Sequence, residues 1–155
     1  MRSAVLTIGC VIGLLVTSVL IVPEGEVARL STFARDGSAR ETEVWVVDGD
    51  HVPGGENGSL FLRAHSARAT WLARLRQMPE VELERGDEVR PYRAELPDPG
   101  ALRERLNRAM AVKYGVADRL LAMLLDPSRS VPVLLVPDPA RQSARRATEE
   151  HARPQ

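Results

Sequence analysis

The chain has 155 residues, of which 44% are hydrophobic and 27% charged, and its 21 basic side chains balance 21 acidic ones. That length and composition specify a single folded domain with one core and exclude a disordered chain. Zero formal net charge leaves no overall field to draw the chain to nucleic acid, so no nucleic-acid partner is expected.

Residues 1–23 read as a hydrophobic anchor or signal segment. Residues 4–22 are almost wholly apolar and carry no charge. Their length approaches the roughly 20 residues a helix needs to cross a bilayer. Arg2 precedes the run, and Glu24 and Glu26 follow it. This asymmetry places the N terminus in the cytoplasm and predicts a single-pass membrane protein with its domain outside. Export after signal cleavage is the alternative: Val16 and Ser18 offer small residues, although no Ala-x-Ala is present. Lipidation of Cys10 after Thr7-Ile8-Gly9 is a third reading, but the apolar run continues well beyond that cysteine. Cys10 is the only cysteine, which excludes an internal disulfide and a cysteine zinc cage. His51, His65 and His151 are far apart and lack metal-ligand spacing.

The folded domain is expected over residues 24–137. Val27–Phe33 alternates as a first strand, and Asp36-Gly37 is a strong hairpin signal. Residues 41–47 return as a second strand, whose Val44-Trp45-Val46-Val47 run implies burial on both faces. Residues 48–59 hold four glycines and Pro53 and read as a long loop. Leu60–Ala64 is a third strand, followed by a helix with Ser66 as N-cap, Trp71, Leu75 and Met78 on one stripe, and Pro79 as its stop. Glu80–Arg85 and residues 88–96 make two more strands about a Gly86-Asp87 turn, with Pro91 marking an edge or bulge. Asp98-Pro99 opens a helix whose Leu102, Leu106, Ala109, Met110 and Lys113 share a face, and Gly115 ends it. Residues 116–125 make a second helix with Leu120, Leu121 and Leu124 turned inward. Residues 131–136 form the last strand, and residues 138–155 read as a disordered polar tail. Hairpins first and helices late indicate an α+β fold with a mainly antiparallel sheet or small barrel.

No Walker loop, dinucleotide fingerprint or Gly-x-Ser-x-Gly elbow is present. The chemistry-bearing residues gather instead where the third strand hands over to its helix: Arg63, His65, Ser66 and Arg68. Unpaired N–H groups and the helix dipole at such a corner favour an anion such as a phosphate. A solvated loop is the plain alternative. Lys113 is the only lysine, so phosphate contacts would fall to forked, planar guanidinium groups.

The strand order, the Arg35-Asp36-Gly37-Ser38-Ala39-Arg40 turn before Glu43-Val44-Trp45-Val46-Val47, and Leu62-Arg63 followed at a fixed distance by Trp71 give the chain a family likeness. It resembles the split β-barrel flavin and deazaflavin oxidoreductases, which include pyridoxamine-phosphate-oxidase-like proteins and deazaflavin-dependent nitroreductases. Ala109-Met110-Ala111-Val112-Lys113-Tyr114-Gly115 is closer to a separate branch of these barrels. The resemblance covers residues 27–137 and implies a six-stranded split barrel with flanking helices, in a homodimer. It implies FMN or the deazaflavin F420 in a groove between strands and the helix after the third strand. Phosphate would lie against Arg35, Ser38 and Arg40, then Arg63, His65, Ser66 and Arg68, and the ring near Trp45 and Trp71. The family's Trp-x-x-Asn-Leu reads Trp71-Leu72-Ala73-Arg74-Leu75 here, which exchanges an amide for a charge. The implied function is hydride transfer from a flavin-type ring to an apolar quinone or nitro acceptor. A non-catalytic ligand-binding or interaction module on the same barrel is the alternative, and an anchored structural protein without a small ligand is a third.

Overall fold

A computed structural model of the chain describes residues 26–151. The anchor, signal and lipidation readings of residues 1–23 lie outside the described residues. Among the described residues no helix is long and apolar enough to cross a membrane.

Alternating sequences make the six strands, because successive side chains point to opposite faces of a sheet. They are β1 (Val27–Phe33), β2 (Ala39–Asp48), β3 (Leu60–Ala64), β4 (Glu80–Arg85), β5 (Glu88–Glu95) and β6 (Val131–Pro137). They close into an antiparallel barrel in the order β1-β2-β3-β6-β5-β4. Helix α1 (Thr70–Gln77) joins β3 to β4, α2 (Gly100–Leu124) joins β5 to β6, and α3 (Pro139–His151) follows β6. Leu30, Val46, Leu62, Val81, Leu83, Val133 and Leu135 fill the barrel, and Leu72 and Leu75 of α1 join that core.

Both faces of β2 are covered, as its apolar run implies. Val44 and Val46 point into the barrel. Val47 points outward into a second core with Val52, Phe61 and, from α2, Leu106, Met110 and Tyr114. The first half of α2 therefore presents the expected apolar face. Gly115 breaks the helix with φ +52° and ψ −116°, a conformation that a side chain at Cβ disfavours.

Four local readings need correction. Ser66 is not a helix cap: its Oγ accepts from Arg68 N (3.1 Å) in a separate tight turn, and α1 starts only at Thr70. Pro91 lies at no open edge, because the barrel is closed. Its carbonyl accepts from Asp138 N (3.2 Å) just past the end of β6, so its missing N–H falls where that ladder has stopped. Leu120 and Leu124 point outward, 43% and 82% exposed, and Asp118 is the residue buried from that half of α2. Finally, the tail contains α3, capped by Asp138, whose Oδ1 accepts from Arg141 N (3.1 Å).

One side chain fastens α2 to the barrel. The β1–β2 ladder ends at Val27↔Trp45, and the next rung would join Glu26 to Val46. The Tyr114 hydroxyl occupies that rung. It accepts from Val46 N (2.8 Å) and lies 2.8 Å from the Glu26 carbonyl and 2.9 Å from that of Val46. A phenol has one proton to donate. Lys113 Nζ already donates to Val46 O (2.7 Å), so Glu26 O is the better acceptor for it. Burial pushes the Tyr114 phenol up to about 12, so it stays protonated through neutral pH. Beside it, Arg85 bridges the carboxylates of Glu26 and Asp48, and Lys113 donates to Glu26 Oε2 (2.6 Å).

Tyr114→Phe keeps the ring but orphans the Val46 N–H, so it should cost about 1–3 kcal/mol in urea denaturation; an unchanged midpoint would remove the hydroxyl from this role. Hydrogen bonds from Arg85 are the chief cause that holds the Glu26 and Asp48 carboxyls below their ordinary values of 4.5 and 3.8. Depressed carboxyls stabilise the fold above those values and lose that contribution as pH falls through and below them. The urea midpoint should therefore drop between about pH 6 and pH 3, and drop less in Arg85→Met. Equal drops in the two proteins would show that the cluster contributes nothing.

Candidate functional site

A groove of about 410 Å³ opens beside β2, at the end of β3. Trp45 and Glu43 form its β2 side, Arg63, Ala64, His65 and Ser66 its floor, Ala69 and Trp71 its α1 side, and Leu121 its α2 side. Strand alternation turns Trp45 away from the barrel interior, opposite in direction to Val44 and Val46. Its ring stacks on Tyr114 with centroids 4.4 Å apart and planes 8° from parallel. The stack holds the indole flat and rigid beside the groove. Trp71 sits at the second position of α1, half-buried against the barrel core.

The groove carries less positive charge than its sequence suggests. Arg63 and Asp118 form an ion pair whose side chains are only 6% and 8% exposed. A second donor of the same guanidinium reaches Asn107 Oδ1 (3.2 Å), which also accepts from Ser130 Oγ (3.2 Å). Arg63 is thus spoken for. Burial, then the charge of Arg63, hold the His65 imidazole below its ordinary pKa of 6.5, while Asp118 opposes the shift. His65 is accordingly neutral at pH 7.

Of the nine residues singled out in the sequence, the structure brings Trp45, Arg63, His65, Ser66 and Trp71 to this groove. Arg35, Ser38 and Arg40 lie in the exposed β1–β2 hairpin, where Ser38 N donates to Asp36 Oδ1 (2.9 Å). Arg40 is five residues along β2 from Trp45, about 17 Å of strand. Arg68 is exposed beyond the corner and outside the lining. Neither Arg35 and Arg40 nor Arg68 is among the residues that line this groove.

Asp118, Tyr114 and Leu121 were missed as site-forming residues. Leu106, Met110, Tyr114 and Asp118 recur every four residues and are the buried set of α2. That spacing was visible. An acid inside it was the sign of a buried cation partner.

No family model matches the chain, and no curated protein matches it. Solved structures do. A protein provisionally called a pyridoxamine 5'-phosphate oxidase from Listeria innocua is 13% identical with TM-score 0.53, over 79% of this chain and 91% of that one. The heme storage protein HutZ from Vibrio cholerae is 16% identical with TM-score 0.54, over 74% and 83%. An F420-H2-dependent reductase, FDR-A, is 19% identical with TM-score 0.52, over 72% and 93%.

Removing Asp118 strands a buried guanidinium. Asp118→Ala should cost about 3–5 kcal/mol in urea denaturation, and Arg63→Met/Asp118→Leu should cost less than the single change; a milder single variant would contradict the buried pair. In its six-stranded closed barrel, its strand order and its flanking helices, the chain has the split-barrel fold of the pyridoxamine-phosphate-oxidase-like proteins and F420-dependent reductases.

Proposed function

We propose that this chain is an oxidoreductase-like, ligand-binding barrel that takes a flat flavin- or deazaflavin-type ring in the groove between Trp45 and Trp71. The carrying observation is the pair of indoles on the walls of a mostly apolar groove, one of them held flat by Tyr114. The volume, about 410 Å³, lies within the usual range for cofactor clefts. The solved structures of the same fold include a reductase whose name states F420 dependence.

The ring half of FMN or F420 fits these residues better than the phosphate half does. Arg63 is committed to Asp118, and Arg35, Ser38 and Arg40 lie outside the groove. What remains for an acidic tail is Ser66, the exposed Arg68, and the start of α1, where no side chain caps the first N–H groups. When bound, such a ring would supply hydride transfer. The chain's own part is to stack it, exclude water and present a neutral imidazole, His65, at the floor. The apolar lining supports an apolar quinone or nitro acceptor, and residues 4–22 support a membrane anchor with the domain outside. A homodimer belongs to the same reading: Val116, Leu120, Met123 and Leu124 are exposed on the second half of α2, and one solved structure of this fold is a domain-swapped dimer.

The second reading, a binding module without redox chemistry, is favoured by the Arg63–Asp118 pair, which withdraws charge from the place where a phosphate would sit.

Fluorescence titration of the full chain with FMN and with F420 separates them. The first reading predicts saturable uptake of one of the two, with Trp71→Ala weakening it about tenfold and Arg40→Ala leaving it within about twofold. No uptake of either leaves the second reading. Uptake that depends on Arg40 and not on Trp71 would move the site to the hairpin.

A further inference from the structure

A second groove, of about 570 Å³, shares no lining residue with the first. It runs between the 48–59 loop and the first half of α2. Val47, Pro53, Ala109 and Val112 supply its apolar surface, and Val112 is 86% exposed although it faces this apolar trough.

The cations around it have acidic neighbours, with one exception. Lys113 and Arg85 are matched by Glu26 and Asp48. Arg108 lies 3.7 Å from Glu104, and His51 lies 3.4 Å from Asp50. Arg105 has no carboxylate partner among the described residues. Its Nε donates to Ala101 O (3.4 Å) and its Nη1 to Pro53 O (2.5 Å), which leaves Nη2 without a partner. The loop lies against this group. A Cβ on Gly54 would come within 2.9 Å of Arg105 Nη1, and Gly54 has φ +84°. A glycine there lets the backbone turn and lets the guanidinium lie against it. Arg105 is therefore a half-buried cation, hydrogen-bonded to the loop, at the rim of an apolar trough.

We propose that this groove binds an acyl-chain carboxylate, an amphiphile of the fatty-acid class, with its tail along Val47, Pro53, Ala109 and Val112 and its head on Arg105. One planar guanidinium matches one singly charged, planar carboxylate, to which it can donate through its fork. A phosphate monoester would bring nearly two charges to a single guanidinium. The volume admits such a chain within the normal range of ligand clefts. The inference is independent of what occupies the Trp45–Trp71 groove.

Isothermal titration of the full chain with sodium dodecanoate, kept below micelle formation, tests it against dodecanol and dodecyltrimethylammonium. The expected result is saturable binding of dodecanoate at one site, at least about tenfold tighter than either comparator. Arg105→Gln should reduce the affinity to that of dodecanol. Because Arg105 also holds the loop, Val112→Glu is the second variant: it sets a carboxylate in the trough from an exposed helical position and should weaken dodecanoate about tenfold without altering the thermal midpoint. Trp71→Ala should bind dodecanoate as the parent does. No saturable binding up to about 1 mM, equal affinity for dodecanol, or indifference to both Arg105→Gln and Val112→Glu would overturn the proposal. Loss of binding in Trp71→Ala would also overturn it, by placing the amphiphile in the other groove.

Discussion

The Tyr114 hydroxyl holds the place of a missing rung in the sheet. Beyond Val27↔Trp45 the ladder between β1 and β2 opens, and backbone groups at Glu26 and Val46 need partners that a strand no longer supplies. The phenol reaches the Val46 N–H and the Glu26 carbonyl from α2, and the Lys113 ammonium donates to Val46 O. One residue thereby closes the sheet, fixes the helix against the barrel and sets the Trp45 indole flat. Both grooves follow from that position. The first half of α2 walls one of them, and Leu121, beyond Gly115, walls the other.

Charge distribution gives the two grooves different characters. In the Trp45–Trp71 groove the arginine is consumed by Asp118, and the nearby imidazole is kept neutral by burial and by that same guanidinium. What is left is mostly apolar and aromatic surface, suited to a flat ring, with Glu43 and Ser66 also in the lining. In the other groove the acids are consumed instead, chiefly by Arg85 and Lys113, and a single guanidinium is left over. Sequence proximity of arginines is thus a poor guide to an anion site. The question is which cations lack an acid once the chain has folded.

The barrel was legible in the sequence because its strands alternate. Val27–Phe33, Leu60–Ala64 and Glu80–Arg85 have the bounds their patterns imply. Gly115 was legible as a break, since few other residues tolerate φ +52°. The facing of the second half of α2 was not, because the glycine redirects the chain and the spacing of Leu120, Leu121 and Leu124 carries no record of that change. Ser66 has the chemistry of a cap but lies one turn too early, and the local Ser66–Arg68 bond competes successfully for it. Residues 139–151 lack a strong apolar stripe, so their pattern does not announce α3. It is instead placed over β4 and β5, with Arg141 and Arg145 lying 4.0 Å and 3.8 Å from Glu82. At the site, the Arg63–Ser66 corner was legible from its order along the chain, whereas Trp45 and Trp71 were placed by resemblance. Arg35, Ser38 and Arg40 were placed by resemblance alone, and the length of β2 separates them from the groove.

The central claim is that a planar ligand lies between the two indoles on the surface that Tyr114 holds in place. Amide and indole NMR shifts of the full chain on addition of FMN or F420 test it most directly. The account predicts that the Nε1–H signals of Trp45 and Trp71 and the amides of His65, Ser66 and Ala69 move together and saturate, while the hairpin amides of Arg35 to Arg40 stay still. Saturating shifts confined to the hairpin, with both indole signals unmoved, would contradict it.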